Sequence, residues 1–154
     1  MEKTNAMRQL DRKKITYRVH SYDGGALSGT EVAAALGQDA GRVFKTLVTV
    51  AKSGGHYVFM IPVAASLDLK KAAAAVGEKA LSMLPQKELL PLTGYVHGGC
   101  SPIGMKKQFP TVLHASAMQF DTICFSAGRI GLQIEASPSA LSSVVPLKTA
   151  DVTD

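Results

Sequence analysis

Cys100 stands in the stretch HGGCSPIGMKK, residues 97–107, with two glycines before it and a serine and a proline after it. Three glycines, one proline and two lysines in eleven positions suit neither helix nor strand, so the segment reads as a loop. Three roles are open to it: Cys100 as a nucleophile, the glycines as a phosphate cradle, or a tight turn and nothing more. A thiol nucleophile needs a base in reach and a lowered pKa, and His97 and His114 are the candidate bases. A small, partly buried side chain lining a turn is the simpler account of Cys100. Gly99 to Gly104 fits G-x-x-x-x-G, the opening half of a phosphate loop. Met105 then stands where the phosphate-binding lysine is needed, and Lys106 where Ser or Thr is needed. No G-x-S-x-G offers an elbow serine. The histidines at 20, 56, 97 and 114 and the two cysteines have no metal-ligand spacing, so neither a metal nor another cofactor is expected.

Composition narrows the class. The 154 residues suffice for a single domain over 1–154 with a real core, and no repeat or polar linker divides them. Seventeen basic against 12 acidic residues give a net charge of +5, a mild preference for a polyanion. The basic residues fall in small groups (Arg12–Lys14, Lys70–Lys71, Lys106–Lys107), with no basic tail. The longest apolar run, 57–67, is too short to cross a membrane and contains Pro62. The polar start has no signal-peptide core, so a cytoplasmic protein with Cys100 and Cys124 reduced is expected.

The elements that must position these groups follow from pattern. Thr4 or Asn5 caps a helix to about Lys13, and Ile15, Tyr17 and Val19 alternate with polar residues as a half-buried strand over 15–20. Ser28 and Glu31 form a capping box for a helix that stops at Gly37. Residues 43–51 and 57–63 predict two buried strands joined by KSGGH, with Pro62 pushing the second toward an edge or a bulge. Asp68 and Gly77 bracket a helix within 66–79, and Pro85 and Pro91 bound another short one within 84–94. Residues 121–128 and 130–135 predict a strand pair, and 137–145 a last helix entered through Ser137 and Pro138. The mixture predicts an α/β (α+β) domain, one mixed β-sheet flanked by helices. No G-x-G-x-x-G follows the first strand, which argues against a dinucleotide fold.

Taken together, KTNAMRQLDRKKITYRVHSYD, GRVFKTLV, IPVAASLDLKKAAAAVGEK, LTGYVHGGCSPIGMKKQFPT and SAGRIGLQIE resemble, in order and over nearly the whole chain, the YbaK-type aminoacyl-tRNA deacylases. These are relatives of the editing domain of bacterial prolyl-tRNA synthetase, and the free-standing branch linked to cysteinyl-tRNA(Pro) is the most similar. The resemblance implies a YbaK-like fold with Lys45 as the essential lysine. It implies a loop signature Gly-x-x-x-Pro met by Gly98 and Pro102, so that Gly98, Gly99, Cys100, Ser101 and Pro102 surround the aminoacyl ester and Cys100 lines the pocket without being the nucleophile. A glycine-rich turn can aim backbone N–H groups at an ester carbonyl. Tyr22 is implied at the pocket border, where it could stack on the terminal adenine, and Ser28 on its wall, although Ser28 has a sufficient job as a helix cap. Thr46 is a polar neighbour of Lys45, and Ser126 and Gly128 match a closing S-x-G turn. Two positions depart from the pattern: Ile130 replaces a basic residue, with Arg129 just before it, and Gln133 stands where some members carry aspartate.

The implied activity is removal of cysteine from mischarged Cys-tRNA(Pro), with Cys-tRNA(Cys) as a second substrate. Cysteine and proline are close in size, so a synthetase pocket built for proline rejects cysteine poorly and separate editing is the remedy. Either water or the substrate's own thiol attacks the ester, and the resemblance favours the thiol. The implied partners are the aminoacyl-tRNA acceptor end and prolyl-tRNA synthetase. The alternatives are a water-using alanyl-tRNA(Pro) deacylase and a non-catalytic module that binds tRNA or a synthetase.

Overall fold

The computed structural model describes residues 2–23, 25 and 27–154. Helix α1 (Asn5–Arg12) begins where the Thr4 hydroxyl accepts from the Met7 N–H, and it buries Ala6, Met7 and Leu10. Strand β1 (Arg18–Ser21) starts three residues later than the alternation predicts; Ile15 and Tyr17 pack on the core from the connection before it. Helix α2 (Gly29–Leu36) carries the expected reciprocal capping box between Ser28 and Glu31, and Gly37 ends it in the left-handed region. Strands β2 (Phe44–Ala51) and β3 (His56–Pro62) form a seven-pair antiparallel hairpin from Phe44 opposite Pro62 to Val50 opposite His56. Helix α3 (Leu69–Val76) is capped by Asp68, which accepts from the N–H groups of Lys70 and Lys71.

The remaining elements are β4 (Leu81–Met83), α4 (Gln86–Thr93), β5 (Thr111–His114), β6 (Ile123–Ser126), β7 (Leu132–Ala136), α5 (Pro138–Ser142) and β8 (Leu147–Ala150). Helix α4 continues through Pro91, where the sequence led us to expect its end. The Thr93 hydroxyl donates to the Leu89 carbonyl at 2.8 Å and helps to close that last turn.

The α/β class with flanking helices holds, but the strands divide into two sheets in place of one. Strands β1–β7–β6 form a small antiparallel sheet, and β4–β2–β3–β5–β8 form a mixed one with β5 parallel to both neighbours. Pro62 ends β3 beyond the reach of β5, which pairs only with Val58–Met60, so its missing N–H disturbs no ladder on that side. Helix α3 covers one face of the larger sheet, with Ala72 and Ala73 against Phe59 and Ile61. Val48 and Val58 on the opposite face meet Tyr95 and Phe109 from the loop after α4. Helices α1 and α5 close the small sheet over Phe125 and Ile134. The sheets join at one parallel bridge, Val43 to Cys124. Among the described residues no helix is long and apolar enough to cross a membrane.

Candidate functional site

The junction of the two sheets leaves a gap along β2. On the side away from β3, β2 is covered at its start by the Val43–Cys124 bridge and at its end by β4, which pairs with Thr49–Ala51. The Val48 carbonyl accepts from Leu84 N on that same side. Backbone groups of an antiparallel strand alternate between its two neighbours, so Thr46, two residues before Val48, also turns its N–H and C=O toward the uncovered side. A cavity of about 190 Å³ opens there.

The cavity gathers residues from six parts of the chain: Tyr22 after β1, Ser28 at the start of α2, Lys45 and Thr46 on β2, Gly98 and Cys100 from the glycine loop, Ser126 from β6 and Gln133 from β7. Four other residues singled out in the sequence do not line it. Ser101 and Pro102 are buried behind the wall, and the Ser101 hydroxyl accepts from the Ile103 N–H at 3.2 Å. Gly99 and Gly128 are contact points between two loops. A Cβ at Gly99 would lie 2.9 Å from Ile130 N, and one at Gly128, where φ is +101°, would lie 2.9 Å from the Tyr95 ring. Glycine is required at Gly99 by the approach of the Arg129–Ile130 backbone, and at Gly128 by its positive φ and the Tyr95 ring.

Tyr95 fastens these loops together. Its hydroxyl donates to the Ile103 carbonyl and its ring packs over Gly128, so the glycine loop and the S-x-G turn are held as one wall. Burial pushes its phenol up to about 12, which keeps it a donor across the neutral range. Asn5 of α1 ties the far end of the loop by donating to the Gly104 carbonyl at 3.0 Å. Sequence gave no signal for Tyr95, an ordinary aromatic five residues before Cys100.

Lys45 is half-buried and makes no hydrogen bond or ion pair among the described residues; loss of hydration holds its pKa below the ordinary lysine value. Thr46 Oγ1 and Gln133 Oε1 are buried without partners. All three residues line the one cavity, and the two unpartnered oxygens are buried in its wall, where a ligand group could complete their hydrogen bonding. The hydroxyls are committed differently. Ser28 accepts from Glu31 N, and Ser126 accepts from Gly128 N at 3.1 Å. Burial pushes the Cys100 thiol up to about 12, against a smaller opposing effect of the Thr93 hydroxyl. His97 is exposed on the rim and makes no bond to Cys100. Among the described residues the cavity therefore contains no nucleophile paired to a base. Apolar walls that pattern reading missed are Leu27, Val32, Leu47, Val63 and Leu89, together with Gly29, where a Cβ would lie 2.7 Å from that of Val63.

Beside the cavity lies a second polar group that linear spacing could not reveal. His20, Cys124 and Glu135 bring ligand atoms within 4.8 Å of one another. Glu135 already accepts from His20 at 2.8 Å, Thr122 at 2.6 Å and Arg42 at 3.2 Å. Arg42 supplies the cation here, so the cluster reads as structural.

Residues 25–143 match the model of the aminoacyl-tRNA editing domain. Over 154 residues the chain is 47% identical to an Enterococcus faecalis protein named as a Cys-tRNA(Pro)/Cys-tRNA(Cys) deacylase, EbsC, covering 99% of this chain and 94% of that one. A crystal structure described as a trans-editing enzyme for prolyl tRNA synthetase superposes with a TM-score of 0.84 at 26% identity, over 97% of this chain and 92% of the other. Another, of a hypothetical protein, shares the fold at a TM-score of 0.87 and 23% identity, over 98% and 100% of the two chains. With its cavity, its lone lysine and these relatives, the chain belongs to the aminoacyl-tRNA editing domain family.

Proposed function

We propose that this protein is a trans-editing deacylase that removes cysteine from mischarged Cys-tRNA(Pro), and from Cys-tRNA(Cys), by letting the substrate's own thiol cleave its ester. The observation that carries this reading is a cavity with an unpaired cation and no protein nucleophile. A buried thiol held at about 12 is protonated at neutral pH, and neither serine has a base. The attacking group must therefore come from outside the protein.

The substrate's thiol loses its proton, and its sulfur attacks the ester carbonyl carbon. A C–S bond forms, charge passes to the carbonyl oxygen, and the bond from carbon to the terminal ribose oxygen then breaks. That oxygen takes the proton, tRNA departs and the cysteine leaves as a cyclic thioester, which water opens. Lys45 stabilises both the thiolate and the oxyanion, more strongly in a half-enclosed cavity than in open water. The Thr46 N–H, turned to the open side of β2, is placed to donate to the same oxygen. Thiol and carbonyl belong to one molecule, so the attack is intramolecular and the cavity has only to fix its geometry. The catalytic residue is Lys45; Tyr22, Ser28, Thr46, Gly98, Cys100, Ser126 and Gln133 shape the binding site, with Gly99, Ser101, Pro102 and Gly128 supporting it from behind.

The named relatives support prolyl-tRNA synthetase as the partner that delivers tRNA, and the cytoplasm, where charging occurs, as the place of action. The test is single-turnover deacylation of Cys-, Ser- and Ala-tRNA(Pro) by the wild type and by Lys45→Ala. Rapid loss of cysteine alone, slowed on the order of 100-fold in a variant that melts as the wild type does, is the expected result. Preferential loss of alanine would move the protein to the water-using branch. No loss of any of the three would leave a binding module.

A further inference from the structure

Nothing in the cavity balances a positive charge on the substrate. Among its described lining residues there is no Asp or Glu, and Lys45 is its cation. The acids nearby are engaged or remote. Glu31 on α2 turns back to accept from Ser28 N at 2.9 Å, and Glu135 on β7 is saturated by His20, Thr122 and Arg42. Asp23, after Tyr22, is exposed and is not part of the lining. The other titratable or charged groups facing this region are Tyr22, His97, Cys100 and the exposed Arg129, none of them a permanent anion. A cavity of about 190 Å³ that accepts the aminoacyl group takes in its α-amine as well. An ammonium placed there would lose water, meet a like charge and find no counter-ion, and each of these disfavours the charged form.

Gln133 supplies what such a cavity does offer. It is 6% exposed, lies opposite His20 across the small sheet, lines the cavity, and its Oε1 has no partner. An uncharged amine has two N–H donors and a lone pair, so either end of a side-chain amide can satisfy it. An ammonium has donors only and gains least from a neutral amide. Thr46 Oγ1, likewise unpartnered, adds a second neutral group.

We infer that the site receives the aminoacyl ester with its α-amine uncharged, and that the Gln133 amide is the specificity-determining group that reads this amine. The inference rests on the deacylase reading above. Its sign is fixed. Binding the neutral form depresses the amine's pKa in the complex, so affinity is complete above the free amine's pKa and is lost as pH falls below it. A free α-amine titrates near 7.7–8.0, and each pH unit below that should cost up to about tenfold in affinity.

The experiment uses two non-cleavable tRNA ligands as inhibitors of Cys-tRNA(Pro) deacylation. One ends in a seryl amide, which matches cysteine in size without its titrating thiol. The other ends in the same group lacking the amine, 3-hydroxypropionyl amide, and so reports any pH effect of the protein's own groups by itself. Between about pH 8.5 and pH 6 the inhibition constant of the seryl ligand should rise 10- to 100-fold while that of the deaminated ligand stays within about threefold. Gln133→Glu, which installs a counter-ion, should flatten or invert the seryl slope. A seryl slope no steeper than the deaminated one, or tighter seryl binding at low pH, overturns the inference, as does failure of either ligand to inhibit while cysteine is still released. Absence of cysteine release at every pH overturns the deacylase reading itself.

Discussion

Gln133 and Glu135 sit two residues apart on β7 and present their side chains to the same face of the small sheet, yet their surroundings are opposites. Glu135 accepts from three donors on three other segments, while Gln133 is buried deeper by exposure and leaves its Oε1 unpaired. A polar side chain buried during folding finds partners unless something else is meant to supply them. On one strand the fold has completed the first group and left the second open. The polar face is thus divided into a structural half around Arg42 and a ligand half around Lys45.

The division breaks most visibly through Glu135. Its hydrogen bonds from Thr122 and His20, helped by Arg42, hold its carboxyl down to about 2. Glu135→Gln removes the charge that Arg42 was paired with and should cost about 2 kcal/mol, or roughly 4–8 °C in Tm, at neutral pH. The native contribution exists above the unfolded carboxyl's pKa and fades as pH falls toward 2, so the gap between variant and wild type should narrow in melts taken from pH 7 downward. A gap that stays constant with pH would show that shape and not charge holds this corner. Deacylation per folded molecule should change little, because Glu135 does not line the cavity.

Thr46→Val should do the reverse. Its hydroxyl is buried with no partner, so replacing it with a methyl group should leave stability unchanged or raise it by about 1 kcal/mol. If that hydroxyl serves the substrate, deacylation should fall roughly tenfold, the worth of one hydrogen bond. Loss of stability with full activity would place Thr46 in the structural half. Measuring both variants by melting and by single-turnover rate separates the halves, since each substitution moves one readout.

How much of this the sequence disclosed follows from range. Ser28 with Glu31, Asp68 with Gly77, and Ser137 with Pro138 are local devices whose partners lie within about ten residues, and the structure keeps all three. β4, β5 and β8 are three or four residues long, too short for alternation to register, and their places are set by pairing with distant strands. The split into two sheets escaped notice for the same reason, since it depends on Arg42 and Val43 meeting Cys124 eighty residues on. In the site, the ordered resemblance pointed to Lys45, Gln133 and the glycine loop. It could not say that Gly99 and Gly128 act by close approach, nor that Tyr95 clasps both loops, because those are contacts between surfaces and leave no local pattern.

The smallest effect should come from the residue that first invites attention. Cys100 lies in the cavity wall, 7% exposed, and burial holds its thiol at about 12, protonated at neutral pH. If it only shapes the pocket, Cys100→Ala should retain kcat within a few-fold and shift KM modestly, with Cys100→Ser lying between. A loss of kcat comparable to that of Lys45→Ala would make Cys100 a nucleophile and would require the complex to lower its pKa by several units. The contrast with Gln133 then becomes chemical. Burial drives both titratable groups of this wall toward their neutral forms, raising the Cys100 thiol and lowering the Lys45 ammonium.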